Sequence, residues 1–320
     1  MPRRVPEAVV ARLLASPEPA IRWMVRSRVL GEAAEDDRAA IPGTDMVRRM
    51  VAGAGSQPYA KWQGAHWVLA ALAEIGHPPG SENLIPLREQ ALRAWLDDQY
   101  FREVPVAYGR RGVPVLNGRY RAHASQQGYA LWYLLTLGLA DERCDSLAGL
   151  LLKWRWPDGG WNCDRDPAAS TSSFMETLLP MRGLWLYGTT RDSAPAREAA
   201  RAAAEVFLAR RMAYGVKSGS LIRGEFAKLH FPLYWHYDIL GGLKAMGEMG
   251  LLGDPRCADA LAMLESMRLE DGWPAHARYY RDASENADWG GTSVKRASPW
   301  VTVDALTVLR AARPEGLPGG

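Results

Sequence analysis

The chain has 320 residues, of which 48% are hydrophobic and 23% charged, with a formal net charge of +3. That is apolar enough to bury a sizeable core, and it excludes a disordered polymer. Its 39 Lys and Arg stand against 36 Asp and Glu, leaving no basic excess to track phosphates, so no nucleic-acid partner is expected. Cys144, Cys163 and Cys257 form no CxxC pair and no disulfide framework, which suits a reducing cytoplasm. Glu7 and Arg12 interrupt the apolar N-terminal stretch, unlike a signal peptide, and no apolar run reaches the roughly 18 residues of a membrane span.

Apolar residues recur at helical spacing almost throughout, and only Val104 to Val115 alternates like a strand. In chain order the periodicity predicts helices over 5–15, 20–30, 44–52, 66–76, 84–98, 125–139, 141–153, 172–187, 194–211, 236–250, 254–267 and 299–312. Those beginning at Ala20, His66, Ser125, Ser172, His236 and Pro299 are apolar. The others are amphipathic and charged, and the two kinds largely alternate. The segments HWVLAALAEIGH, YALWYLLTLGLAD, YDILGGLKAMGEMGLLGD and WVTVDALTVLRAA share an aromatic start and an apolar stripe. A hairpin of one helix from each set cannot bury its inner face alone. About six such hairpins can close into a ring that occupies residues 1–320 as one domain, with the apolar helices inside. An open superhelical array is the alternative.

Two segments carry a more specific signature: LLLKWRWPDGGW, ending at Trp161, and LESMRLEDGW, ending at Trp273. Asp makes a turn, Gly takes a positive φ, and Trp folds back over the carbonyl end of the preceding helix. The pattern resembles the QW repeat of the squalene-hopene cyclase and protein prenyltransferase superfamily, with Arg155 and Arg268 where the repeat has Gln. The resemblance implies an all-α, closed (α/α)6-type toroid. The Asp-x-Asp-Asp acid of class II terpene cyclases has no counterpart; the nearest string is Asp164-Arg165-Asp166, which also reads as an ordinary polar turn. Trp235-His236-Tyr237-Asp238 is similar to the context of the prenyltransferase zinc-ligand His. The accompanying Asp-x-Cys is absent, so a zinc implied by the resemblance would fall to His236 and Cys163. No other cofactor is expected.

In such a ring the first turns of the inner helices converge on one mouth. They supply Lys61, Trp62, His66, His123, Gln126, Glu176, Trp235, His236, Tyr237, Asp238, Trp300 and Asp304. Their chemistry suggests His236 with Asp238 as an acid–base pair, His66 and His123 across from it, and Glu176 and Asp304 as further acids. Trp62, Trp235 and Trp300 would form an aromatic wall, with Lys61, Gln126 and Tyr237 beside the substrate. The bland alternative is that the acids are helix caps and the histidines are satisfied in the core. Long connections at 101–121, 212–231 and 268–298 carry basic and aromatic residues, among them Tyr108, Arg110, Arg111, Arg119, Arg223 and Arg281. Over a cavity mouth these suit an anionic or sugar-like group. The reading that follows is a terpenoid-cyclase-like or prenyltransferase-like enzyme acting on an apolar or isoprenoid small molecule by acid–base chemistry. The alternatives are a carbohydrate-active toroid, lyase or hydrolase, and a non-catalytic ring that binds a hydrophobic ligand or a protein.

Overall fold

The computed structural model describes residues 7–97, 102–104, 112–280 and 287–312. Tyr108, Arg110, Arg111 and Arg281 of the long connections lie outside them. The described chain is mostly helical, and none of its helices is long and apolar enough to cross a membrane. The helices are α1 (Glu7–Leu14), α2 (Pro19–Met24), α3 (Glu35–Ala40), α4 (Asp45–Ala52), α5 (Ala65–Glu74), α6 (Ile85–Trp95) and α7 (Ala124–Thr136). They continue with α8 (Arg143–Trp154), α9 (Phe174–Thr190), α10 (Ala194–Leu208), α11 (Ile239–Glu248), α12 (Ala258–Ser266) and α13 (Pro299–Ala311). A π-helical stretch, Val25–Leu30, extends α2. Short strands β1 (Glu103–Val104), β2 (Val113–Leu116) and β3 (Arg119–Tyr120) form one small sheet in that order. The β2–β3 hairpin turns at Asn117 and Gly118, both at positive φ, as a tight two-residue turn requires.

The two expected helix classes separate by burial. Every residue from Ala65 to Ala73 in α5 and from Ala124 to Leu134 in α7 is buried. In contrast, α4 buries only Met46, Val47 and Met50, one stripe of an amphipathic helix. The apolar helices pack on one another in sequence: α5 on α7, α7 on α9, α9 on α11, and α11 on α13. Each of α5, α7, α9 and α11 also packs on the charged helix that follows it. The last helix, α13, returns to pack on α2 and its π-helical extension. At the exit of α5, the Arg28 guanidinium donates to the Glu74 carbonyl at 2.9 Å and Arg38 donates to the Gly76 carbonyl at 3.2 Å.

Both aromatic turns behave as their sequences predict. Gly159 and Gly272 take positive φ, and the buried indoles of Trp161 and Trp273 donate to the carbonyls of Leu151 and Leu264 at 2.9 and 2.7 Å. Each then meets the next apolar helix through the same contact. The Trp161 amide donates to Thr177 Oγ1 at 3.2 Å, and the Trp273 amide donates to Thr302 Oγ1 at 3.0 Å. Two details depart from expectation. Helix α11 begins at Ile239, after His236, because Asp238 caps it by accepting from the Gly241 amide at 2.8 Å. Asp304 is not a cap, since it lies inside α13, whose N-cap is Ser298.

Helices α7 and α9 cross at glycine. A Cβ on Gly128 would fall 2.3 Å from the Pro180 backbone nitrogen, and one on Gly183 would fall 2.5 Å from the Gly128 carbonyl oxygen. Gly149, exposed in α8, has nothing within 4 Å of its would-be Cβ. We therefore expect Gly128→Ala to cost about 1–3 kcal/mol through forced separation of the helices. Gly149→Ala should be neutral or add up to about 1 kcal/mol. Urea denaturation of both variants checks the difference, and a Gly128→Ala protein as stable as wild type would contradict the close crossing.

Candidate functional site

A cavity of about 780 Å³ opens between the C-terminal halves of the apolar helices. Its wall is largely apolar, with Trp132 from α7, Trp185 and Leu186 from α9, and Val308 and Ala311 from α13. Its charged lining comes from Arg28, Glu74, Arg182, Lys244, Glu248 and Asp304. The cavity thus lies away from the N-terminal mouth that the sequence predicts. Of the predicted site residues, only Asp304 lines this cavity.

The six charges form one network. Arg182 donates to Glu74 at 2.7 Å and to both carboxylate oxygens of Glu248 at 2.8 and 2.6 Å. Lys244 reaches Glu74 at 3.0 Å and Asp304 at 2.7 Å, while Arg28 lies 3.9 Å from Asp304. The Arg182 guanidinium also sits 4.0 Å from the ring centre of Trp132, a cation–π contact. Burial would raise the Glu74 carboxyl, but Arg182 and Lys244 outweigh it and hold Glu74 well below the usual range. Asp304 goes the other way. Burial raises its carboxyl, Glu74 adds to the rise, and Lys244 and Arg28 do not cancel it. Asp304 Oδ1 is buried without a hydrogen-bond partner. Of the two carboxylates that Lys244 joins, Asp304 is therefore the one more readily protonated.

At the N-terminal ends the predicted residues are divided among separate structures. His236 and Asp238 are not a pair: Asp238 accepts from the His230 amide at 2.9 Å and faces His230 Nδ1 at 3.1 Å. The His236 ring stacks on Tyr279 and Trp235, and its Nδ1 lies 3.2 Å from the Leu233 carbonyl. Trp62 stacks on Tyr234, and Lys61 sits over Trp62 and Trp235 at 5.2 Å. Trp300 is stacked on Phe231, and Tyr237 donates to the Met212 carbonyl at 2.5 Å within the core. Trp62, Trp235 and Trp300 thus do not form the wall of the large cavity; Trp132 and Trp185 do. Arg119 lies over Trp156. Arg223 borders a separate groove of about 360 Å³ with Arg210. Asp164 and Asp166 serve exposed turns, accepting from the amides of Asp166 and Ala168. Gln126 donates to Ser125 Oγ at 3.3 Å. His66 accepts from the Trp95 indole at 2.9 Å and lies 3.1 Å from the Tyr133 hydroxyl, far from bulk water.

The structure does bring His123 and Glu176 together, with Cys163 as a third member. His123 Nδ1 is 3.5 Å from Glu176 Oε1, and one donor atom from each of the three side chains lies within 4.8 Å of the others. The Ser125 amide donates to Glu176 Oε2 at 2.9 Å. Burial would raise the Glu176 carboxyl, but His123 and Ser125 hold it below the usual range. Glu176 in turn raises His123, while burial and the same carboxylate raise the Cys163 thiol. Cys163 gathers with His123 and Glu176 and not with His236, whose ring neighbours are aromatic. The surroundings of His236 therefore do not fit the zinc implied by the prenyltransferase resemblance.

No family model and no curated protein matches the chain. Among solved structures, it is similar to a protein from Actinoplanes at 18% identity and a TM-score of 0.42, covering 95% of this chain and 88% of that one. It is also similar to a type II terpene cyclase from Scytonema in complex with geranylgeranyl dihydroxybenzoate, its substrate, at 12% identity and a TM-score of 0.26. That match covers 84% of this chain and 95% of the other. The functional reading rests on the residues themselves.

Burial lowers both His66 and His236 to about 3, so both are neutral near pH 7. A histidine depressed in the folded state leaves the unfolded chain to bind the proton first. Its stabilisation is present above the ordinary pKa of about 6.5 and is lost as pH falls toward 3. We expect stability to drop below pH 6.5, with His66 contributing up to about 1.4 kcal/mol per pH unit. A His66→Gln, His236→Gln double variant should show a shallower drop in urea midpoints between pH 7 and 4, and an unchanged slope would refute the assignment.

Proposed function

We propose that the helices close into a ring and that the 780 Å³ cavity is the active site of a cytoplasmic enzyme. Its reaction would be proton transfer to or from a largely apolar small molecule of isoprenoid type. Closure is supported by the run of contacts from α5 through α7, α9, α11 and α13 back to α2. The Arg28 and Arg38 hydrogen bonds then tie the N-terminal segment to the exit of α5. The volume lies within the range of small-molecule sites, and its mix of apolar wall and convergent polar groups is what such sites use.

The observation that carries the chemistry is Asp304, buried on the cavity lining, raised by its burial, and with one carboxylate oxygen that accepts no hydrogen bond and has Arg28 only at 3.9 Å. An apolar body would lie along Trp132, Trp185, Leu186 and Val308, with the reacting carbon or polar end against the charged residues. Asp304 gives up its proton there, and Lys244 at 2.7 Å stabilises the carboxylate left behind. Glu74 and Arg182 hold Lys244 and the neighbouring helices in place. Arg182 already covers the Trp132 ring, so that indole acts by shape and exclusion of water.

The test uses wild-type protein and Asp304→Asn, each incubated with a panel of polyprenyl alcohols and linear triterpenes and followed by mass spectrometry and thermal melting. A bound member of the panel should raise the melting temperature of both proteins. Turnover should fall about a hundredfold or more in Asp304→Asn, the usual worth of a general acid. Equal turnover by the two would remove Asp304 from the chemistry. Protection by oligosaccharides but by no polyprenyl compound would replace the substrate class with the carbohydrate alternative.

A further inference from the structure

We infer that His123, Cys163 and Glu176 are a zinc site at the opposite end of α9 from the large cavity, a proposal that does not depend on the reading of that cavity. Three segments distant in sequence supply the donors: the residue before α7, the loop after Trp161, and the first turn of α9. A tetrahedral zinc with bonds of about 2.0–2.3 Å keeps its donors about 3.3–3.8 Å apart. His123 Nδ1 and Glu176 Oε1 are already 3.5 Å apart, and no donor of the three is more than 4.8 Å from another. The 3.5 Å separation exceeds the roughly 2.7–2.9 Å of a charge-assisted hydrogen bond. It suits two ligands of one ion better than a direct pair.

The supporting shell is in place. Glu176 is buried, and its other oxygen is fixed by the Ser125 amide at 2.9 Å, leaving Oε1 for the ion. The Cys163 backbone is pinned on both sides by Asn162. The Asn162 side chain donates to the Thr171 carbonyl and accepts from the Asp164 amide, both at 2.9 Å. Such second contacts orient ligands and are part of a metal site rather than an addition to it. A thiolate, an imidazole and a carboxylate together favour zinc over magnesium or calcium, which take oxygen donors. On binding, the Cys163 thiol loses its proton to solvent and the thiolate becomes a ligand. Three protein donors leave one tetrahedral position for water or an incoming group, and the His123 side chain, 64% exposed, marks the open side.

The 320-residue chain, purified without a histidine tag under reducing conditions, is loaded with zinc or cobalt(II) and passed over a desalting column. We expect about one metal per chain, a thiolate-to-cobalt charge-transfer band, and a higher melting temperature with zinc. Cys163→Ser and His123→Ala should each lose the band and retain little metal while keeping wild-type helical circular dichroism. Because His123 is exposed, its variant decides the matter should Cys163→Ser fail to fold. A wild-type chain that retains no metal, bound cobalt without a thiolate band, or a His123→Ala protein that keeps full stoichiometry would overturn the site.

Discussion

The shared carboxylate of Glu74 holds the apolar helices in register. One of its oxygens takes Arg182 from α9 and the other takes Lys244 from α11, and Lys244 passes the connection to Asp304 in α13. Arg28, from the π-helical stretch after α2, donates to the Glu74 backbone and lies beside Asp304. Three cations and three carboxylates therefore balance across five segments. Losing one partner of a buried pair costs about 3–5 kcal/mol, because the other is left uncompensated. That penalty fixes which turn of each helix faces the cavity more strictly than the interchangeable contacts of Leu, Val and Ala do.

Apolar replacements of similar volume would often serve stability as well as buried ion pairs. On the proposed reading, a network of this kind on the lining of an open cavity serves the reaction, since departures from the simplest core are expected where function requires them. The opposite pKa shifts of Glu74 and Asp304 have one geometric origin. Glu74 contacts two cations directly, whereas Asp304 Oδ1 is left over at 3.9 Å from Arg28. Two carboxylates within one network thus acquire different protonation tendencies from position alone.

Much of the helical pattern could be read from the chain because burial on all sides and burial on one stripe leave different sequences. The predicted helix at 66–76 is observed as Ala65–Glu74, and that at 299–312 as Pro299–Ala311. The Asp-Gly-Trp turns were legible for a local reason, since positive φ at Gly and a Trp long enough to reach back are both set within a few residues. The start of α11 was misplaced because the apolar and aromatic run continues upstream of its cap, Asp238. The small sheet is only partly legible: Asn117-Gly118 marks the β2–β3 turn, but the β1–β2 pairing is parallel, between residues ten apart, and has no tight-turn signal.

The large cavity leaves little trace in the sequence, because the conspicuous polar residues at the helix starts are consumed by caps and aromatic stacks. The useful signal lies deeper, as single charges set within apolar stripes: Glu74 in HWVLAALAE, Arg182 in TLLPMR, Lys244 in ILGGLK and Asp304 in PWVTVD. A lone charge there has no solvent to face, so it must meet another from a neighbouring helix. Helix α9 then links the two polar centres physically. Glu176 and Arg182 are six residues apart, about 9 Å along its axis, and the glycine crossing with α7 lies between Glu176 and the end of the cavity wall at Trp185. That crossing lets the backbones touch, so neither helix can shift without moving both the His123–Glu176 contact and the Arg182–Trp132 contact. The glycines at 128 and 183 in this sense bear on both polar centres, since they set how closely the two helices approach.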